Sequence, residues 1–102
     1  MTYDYAAKKI EEIFNHELEH IDHIRNLIEP DPDWVSRTNW IRLMETTVDE
    51  YTAAAQTVIE IYIDLSMGDC ENWRELHKLQ WEFKEQLTNT VEHIKEILER
   101  PF

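Results

Sequence analysis

The sequence is poor in residues that break regular structure. Its 102 residues include one glycine and three prolines, too few for a turn-rich sheet protein. The single cysteine, Cys70, excludes an internal disulfide and is compatible with a reducing compartment. No apolar run approaches the roughly 20 residues of a membrane span, and the N-terminus lacks the pattern of a signal peptide. We therefore expect a cytoplasmic protein with one helical domain, residues 1–102.

Positive charge is also scarce. The chain has 22 acidic and 10 basic residues, a formal net charge of −12, and the acidic excess is spread along the whole chain. A charge of this sign repels nucleic acid and anionic membranes and favours encounters with basic protein surfaces. We therefore expect no direct binding to nucleic acid or membranes.

Apolar residues recur at intervals of three and four in three stretches, which predicts three long helices. We expect them at about 4–28, about 32–67 and about 70–99. Pro30 and Gly68 mark the breaks, because proline disfavours helix in the residue before it and glycine suits the position after a helix end. Such short connections force neighbouring helices to run antiparallel. The predicted fold is an all-α, elongated, antiparallel three-helix bundle.

The second predicted helix has the widest apolar face, and a thin bundle leaves part of such a face uncovered. We therefore expect the bundle to be completed by homodimerisation. The predicted core positions are Tyr3, Ala7, Ile10, Phe14, Leu18, Ile21, Ile24 and Ile28 in the first helix, Trp40, Ile41, Leu43, Met44, Thr47, Val48, Tyr51, Ala54, Ala55, Val58, Ile59, Tyr62 and Leu65 in the second, and Leu76, Leu79, Phe83, Leu87, Thr90, Ile94 and Ile97 in the third, widened by Trp73, Val91 and Leu98.

A histidine cluster in the first helix carries the most specific chemical pattern. His16, His20 and His23 fall on one polar stripe, and residues 16–20 read His-Glu-Leu-Glu-His, a literal match to the H-E-x-x-H pattern of zinc peptidases. Those peptidases add a third ligand from a downstream segment and a sheet edge that binds substrate, and this sequence has neither a predicted sheet nor a glycine near the motif. We interpret the match as coincidental and expect no enzymatic activity.

The same cluster leaves metal binding as an alternative. His16 and His20 lie one turn apart, and Glu17 projects into the apolar stripe, where a lone carboxylate is costly to bury. The Glu17–His20 spacing resembles the Glu-x-x-His motif of helix-bundle di-iron proteins, which implies a zinc or iron site. His93 has Thr90 at that spacing, so a second motif requires a homodimer partner. The other interpretation, with no cofactor, is a histidine stripe in solvent or at a contact and Glu17 at a helix crossing.

Basic and aromatic residues gather on the outer side of the third helix, at Arg74, His77, Trp81 and Lys84. This basic–aromatic stripe suits a nucleobase, an anionic ligand or a protein interface, where tryptophan and arginine are favoured. The alternative interpretation is that Trp81 packs on Trp34, or on a second subunit, at the edge of the core.

Charge, size and the lack of a complete catalytic set favour a small acidic interaction protein that binds a basic surface on a target protein, as inhibitors, immunity proteins and antitoxin-like partners do. Some phage anti-defence proteins are similarly small, acidic and helical, a similarity of character without a shared motif. Two alternatives stand beside it. One is a metal-binding bundle that uses His16, His20 and Glu17 or residues of a partner subunit. The other is a bundle that binds or sequesters a small ligand on the basic–aromatic stripe.

Overall fold

The residues that the structure describes form three long helices, as the apolar periodicity predicts. The computed structural model describes residues 2–28, 34–65 and 70–99. Helix α1 spans Tyr3–Ile28, α2 spans Trp34–Leu65 and α3 spans Cys70–Glu99, and these residues contain no strand. The all-α class is therefore confirmed. The predicted breaks at Pro30 and Gly68 lie outside the described residues.

Helix α1 begins at a cap that the apolar period does not reveal. The hydroxyl of Thr2 accepts a hydrogen bond from the amide of Tyr5 at 3.2 Å, and the carbonyl of Thr2 accepts one from the amide of Ala6 at 3.1 Å. Asp4 adds a negative charge in the first turn, where the helix dipole is positive. The helix therefore starts one residue before the predicted position.

Helix α2 contains many β-branched polar residues, which are mediocre helix formers. Four of their hydroxyls are satisfied within the helix, because each of the four donates to the carbonyl four residues earlier, at 2.9 to 3.0 Å. The threonines bonded in this way are Thr46, Thr47, Thr52 and Thr57. This bonding allows Thr47 to be buried without an unsatisfied hydroxyl hydrogen.

Each helix packs against both others, and the molecule measures 55 × 17 × 16 Å. Helices α2 and α3 run antiparallel, because Tyr51 contacts Gln80 while Glu45, nearer the start of α2, contacts Lys95, nearer the end of α3. Within the described residues, no helix combines the length and apolar character needed to cross a membrane.

The core lies along the common axis of the three helices. Phe14 joins them at mid-height, since its ring stacks on Phe83 at 4.4 Å between centroids and meets Tyr51 edge-on at 6.4 Å. The buried apolar residues are Ala6, Ile10, Phe14, Ile21, Ile24, Met44, Val48, Tyr51, Ala55, Ile59, Tyr62, Leu76, Leu87, Val91 and Ile94.

Three predicted core positions, Leu43, Leu65 and Ile97, are instead exposed, Leu65 to 61%. Conversely, Ala6 and Gln80 are buried although the apolar pattern did not include them. The observed burial differs from the predicted burial because each helix packs against two neighbours, so the centre of its buried face points between them. Near the ends of the helices, neighbouring side chains cover less of that face.

Gln80 is buried because its polar groups are bonded across the α2–α3 contact. The hydroxyl of Tyr51 donates to the main-chain carbonyl of Gln80 at 2.9 Å, and the side-chain amide of Gln80 donates to the main-chain carbonyl of Thr52 at 3.1 Å. Burial raises the pKa of the Tyr51 phenol well above its ordinary value of 10.0. This pair fixes the register of α2 against α3.

Candidate functional site

The surface of the molecule is acidic almost throughout. Every acidic side chain that the structure describes is exposed, with Glu17 as the one exception. Exposed ion pairs join Lys9 to Glu12 at 3.3 Å and Lys95 to Glu45 at 3.7 Å. The hydrogen bond and the charge of Glu12 raise the pKa of Lys9. Ten basic residues cannot neutralise 22 acidic ones, so the molecule keeps a strong negative field.

Glu17 lies where the apolar period predicted it, largely covered by the bundle. Its side chain is 13% exposed, and its Oε2 atom is buried without a hydrogen-bond partner. Its basic neighbour among the described residues is His20, whose Nδ1 atom lies 3.9 Å from the Glu17 Oε2 atom. That distance is too long for a hydrogen bond, so the pair is at most a weak ionic contact when the imidazole is protonated.

The helix register places a threonine of α2 near the level of Glu17. The contact of Phe14 with Tyr51 sets the two antiparallel helices at the same level. Because the helices are antiparallel, a step from Phe14 to Glu17 along α1 corresponds to a step of about one turn back along α2, from Tyr51 to Thr47. Glu17 therefore lies near the level of Thr47. The Thr47 hydroxyl donates to the carbonyl of Leu43 at 2.9 Å, so its hydrogen is already used.

The histidines of the cluster have different environments. His16 and His23 are exposed, whereas His20 is partly buried beside Glu17. Among the described residues, no group of three or more histidine, cysteine, aspartate or glutamate side chains is placed to hold a metal ion. A metal at Glu17 and His20 therefore needs ligands from outside this part of the chain. Metal binding by His16, His20 and Glu17 stays a prediction.

The structure divides the basic–aromatic stripe into two parts. Trp81 is 64% exposed, and Lys84 Nζ lies over its ring at 5.4 Å from the centroid. His77 instead meets the ring of Trp73 edge-on at 4.8 Å, and Arg74 is exposed. Trp81 and Lys84 thus form one unit, while His77 belongs to a different aromatic contact. The predicted packing of Trp81 on Trp34 lies outside the described side chains.

An open groove between α2 and α3 lies next to Trp81, and the sequence did not predict it. The volume of the groove is about 270 Å³. Its lining comes from both helices and consists of Glu45, Val48, Asp49, Lys84, Thr88, Val91, Glu92 and Lys95. Lys84 belongs to the groove and also covers Trp81. The two halves of the lining are some 40 residues apart in sequence, so only the antiparallel register of α2 and α3 brings them together.

No protein-family profile matches this chain, and no curated protein and no solved structure is detectably similar to it.

Proposed function

We propose that the protein is a small acidic interaction protein that binds a basic surface on a target protein. The observation that carries this proposal is the display of nearly all its described carboxylates at the surface of a narrow rod 55 Å long. A dense negative field speeds encounter with a positively charged partner and disfavours acidic ones. Inhibitors, immunity proteins and antitoxin-like partners, including some anti-defence proteins of phages, act by covering a surface of their target protein.

Capture of the partner from the native host tests the proposal. The tagged full chain is incubated with host lysate at about 50 mM and about 300 mM salt, and captured proteins are identified by mass spectrometry. We expect a basic protein whose retention falls steeply with salt, and whose purified form binds with the same salt dependence. If the affinity for every purified partner is independent of ionic strength, the electrostatic proposal is wrong.

We also propose a homodimer, formed through the flank of α2 that carries Leu43, Ile61 and Leu65. These three exposed residues share one side of the helix, because Leu43 and Ile61 are separated by 18 residues, about five full turns. Exposed apolar side chains aligned on one face are typical of a subunit contact.

Sedimentation velocity over a range of protein concentrations tests the dimer. We expect a concentration-dependent dimer for the native chain and a monomer for the variant Ile61→Glu with Leu65→Glu. Trp81→Ala is the control, since it removes from another helix an apolar side chain about as exposed as Leu65. A monomer at all concentrations of the native chain contradicts this part of the proposal.

A second candidate function is metal binding in a dimer, and the buried Glu17 oxygen without a donor is the observation that favours it. In a dimer that met on α1 and not on the α2 flank, two subunits would contribute two Glu17 and two His20 side chains, with His16 one turn away, a set that suits zinc or iron. Elemental analysis of protein purified without an affinity tag measures the amount of bound metal per chain directly. At least about half an equivalent of metal per chain, lost in His20→Ala but retained in His93→Ala, would support the site. Less than about 0.2 equivalents, with no stabilisation by added zinc or iron, would reject it.

A further inference from the structure

The α2–α3 groove has an apolar floor and charged walls. Val48 and Val91 are buried at its base, one from each helix. Glu45 and Asp49 stand on the α2 wall, and Glu92 stands on the α3 wall. Such a lining suits a side chain that has an aliphatic stem and a cationic end.

The charges of the groove favour a cation. Three carboxylates line it against two ammonium groups, those of Lys84 and Lys95. Lys95 is engaged by Glu45 at 3.7 Å, and Lys84 lies over the indole of Trp81. Within the described part of the chain, Asp49 and Glu92 have no ion-pair partner. Two carboxylates therefore remain available to an incoming cationic group.

The volume of the groove indicates the size of its occupant. At about 270 Å³ it falls below the range of roughly 300 to 1,000 Å³ that is usual for sites of small molecules and cofactors. It is large enough for one long side chain presented by another protein. Trp81 is exposed and contacts the lining residue Lys84, so it adds a broad aromatic surface next to the groove, of the kind that anchors protein contacts.

We propose that this groove, together with Trp81, is the docking site for a basic segment of the partner protein that carries two arginines. The stem of one arginine lies on Val48 and Val91, and its guanidinium donates hydrogen bonds to Asp49 and Glu92. Trp81 lies 11 residues before Glu92, about 16 Å along α3, so its indole packs against the guanidinium of the second arginine, in place of Lys84. Arginine is preferred over lysine because its guanidinium has five donors in a plane and stacks on aromatic rings. The inference rests on the proposed function and specifies its site.

A peptide titration tests the docking site on the full chain. The probes are a synthetic peptide of alternating glycine and arginine and the same peptide with lysine for arginine. Binding to isotope-labelled protein is followed by NMR at low salt. We expect the arginine peptide to shift the indole N–H signal of Trp81 and the amide signals of Val48 and Val91. We expect it to bind about threefold or more tightly than the lysine peptide.

Two variants and a matched control locate the contact. Trp81→Ala should weaken the arginine peptide about fivefold and abolish the preference over lysine. The double variant Asp49→Asn with Glu92→Gln should weaken it about tenfold. The control is Glu11→Gln with Asp22→Asn on α1, which makes the same change of net charge away from the groove. That control should change the affinity less than about twofold. Circular dichroism confirms that each variant is folded.

The outcomes separate the two proposals. Equal loss of affinity in the groove variant and in the α1 control would reject the groove but leave the acidic interaction standing. Full binding by Trp81→Ala, or equal affinity for both peptides, would reject the assignment of an arginine site at Trp81. If neither peptide binds at low salt, the groove is wrong, while salt-dependent capture of a purified partner would still support the proposed function.

Discussion

The phenol of Tyr51 and the main-chain carbonyl of Gln80 are joined by a buried hydrogen bond of 2.9 Å that crosses from the middle of α2 to the middle of α3. The side chain of Gln80 returns a second bond to Thr52, so two adjacent levels of the helices are tied together. The edge of the Phe14 ring meets the same tyrosine from α1. This point of contact between all three helices sets the register that forms both the groove and the surroundings of Glu17.

Tyr51→Phe should lower the free energy of unfolding by about 1 kcal/mol, because it removes the buried hydroxyl and its bond while keeping the ring. In the variant, the Gln80 carbonyl can still accept a hydrogen bond from the main-chain amide four residues later in α3, which limits the loss of stability. Urea unfolding followed by circular dichroism measures the change. Tyr5→Phe is the control, since that ring is half-exposed, and it should change stability by less than about 0.5 kcal/mol. Equal losses in both variants would contradict the role given to the Tyr51 bond.

Stability should fall at alkaline pH partly because of Tyr51. Its pKa is raised in the folded protein, so above pH 10 the unfolded chain loses the phenolic proton while the native chain retains it. The native state then binds more protons than the unfolded state, and the free energy of unfolding falls with a slope of up to about 1.4 kcal/mol per pH unit. Urea unfolding between pH 8 and about pH 11 should show a steeper decline in the native chain than in Tyr51→Phe. Parallel declines would show that Tyr51 does not contribute.

Replacing Glu17 by methionine should stabilise the isolated chain by about 1 kcal/mol, since the buried Oε2 has no hydrogen-bond donor. Glu19→Met is the matched control, because Glu19 is exposed on the same helix, and its effect should stay within about 0.5 kcal/mol. Thermal unfolding at low protein concentration and in the presence of a metal chelator compares them. A clear loss of stability in Glu17→Met under these conditions would mean that the carboxylate is stabilised within the single chain, which contradicts the missing donor at Oε2.

Truncation of two aromatic residues should lower stability by very different amounts. Phe14→Ala should cost about 3 to 5 kcal/mol, because Phe14 is buried between Tyr51 and Phe83 and its removal leaves a cavity. Trp81→Ala should cost less than about 0.5 kcal/mol, because Trp81 is largely exposed. Urea unfolding of both variants at the same protein concentration makes the comparison. A large loss in Trp81→Ala would indicate that the tryptophan is covered in solution.

Part of the candidate site could be predicted from local sequence. The placement of Glu17 inside the apolar stripe follows from helical geometry alone, and the structure confirms its burial. The basic–aromatic stripe also follows from spacing, but spacing could not show that His77 packs on Trp73 while Lys84 covers Trp81. Those contacts depend on side-chain directions and on which neighbouring groups compete for each ring.

The sequence by itself determined the number of helices, their approximate bounds and their acidic surface. These features depend on local periodicity, on scarce glycine and proline, and on a charge excess that no fold can remove. Only the tertiary structure decided which side of each helix is buried, because every helix packs against two others and its covered face is centred between them. That packing left Leu43, Leu65 and Ile97 exposed and buried Gln80. It also brought Asp49 and Glu92 into one groove, a proximity that sequence separation conceals.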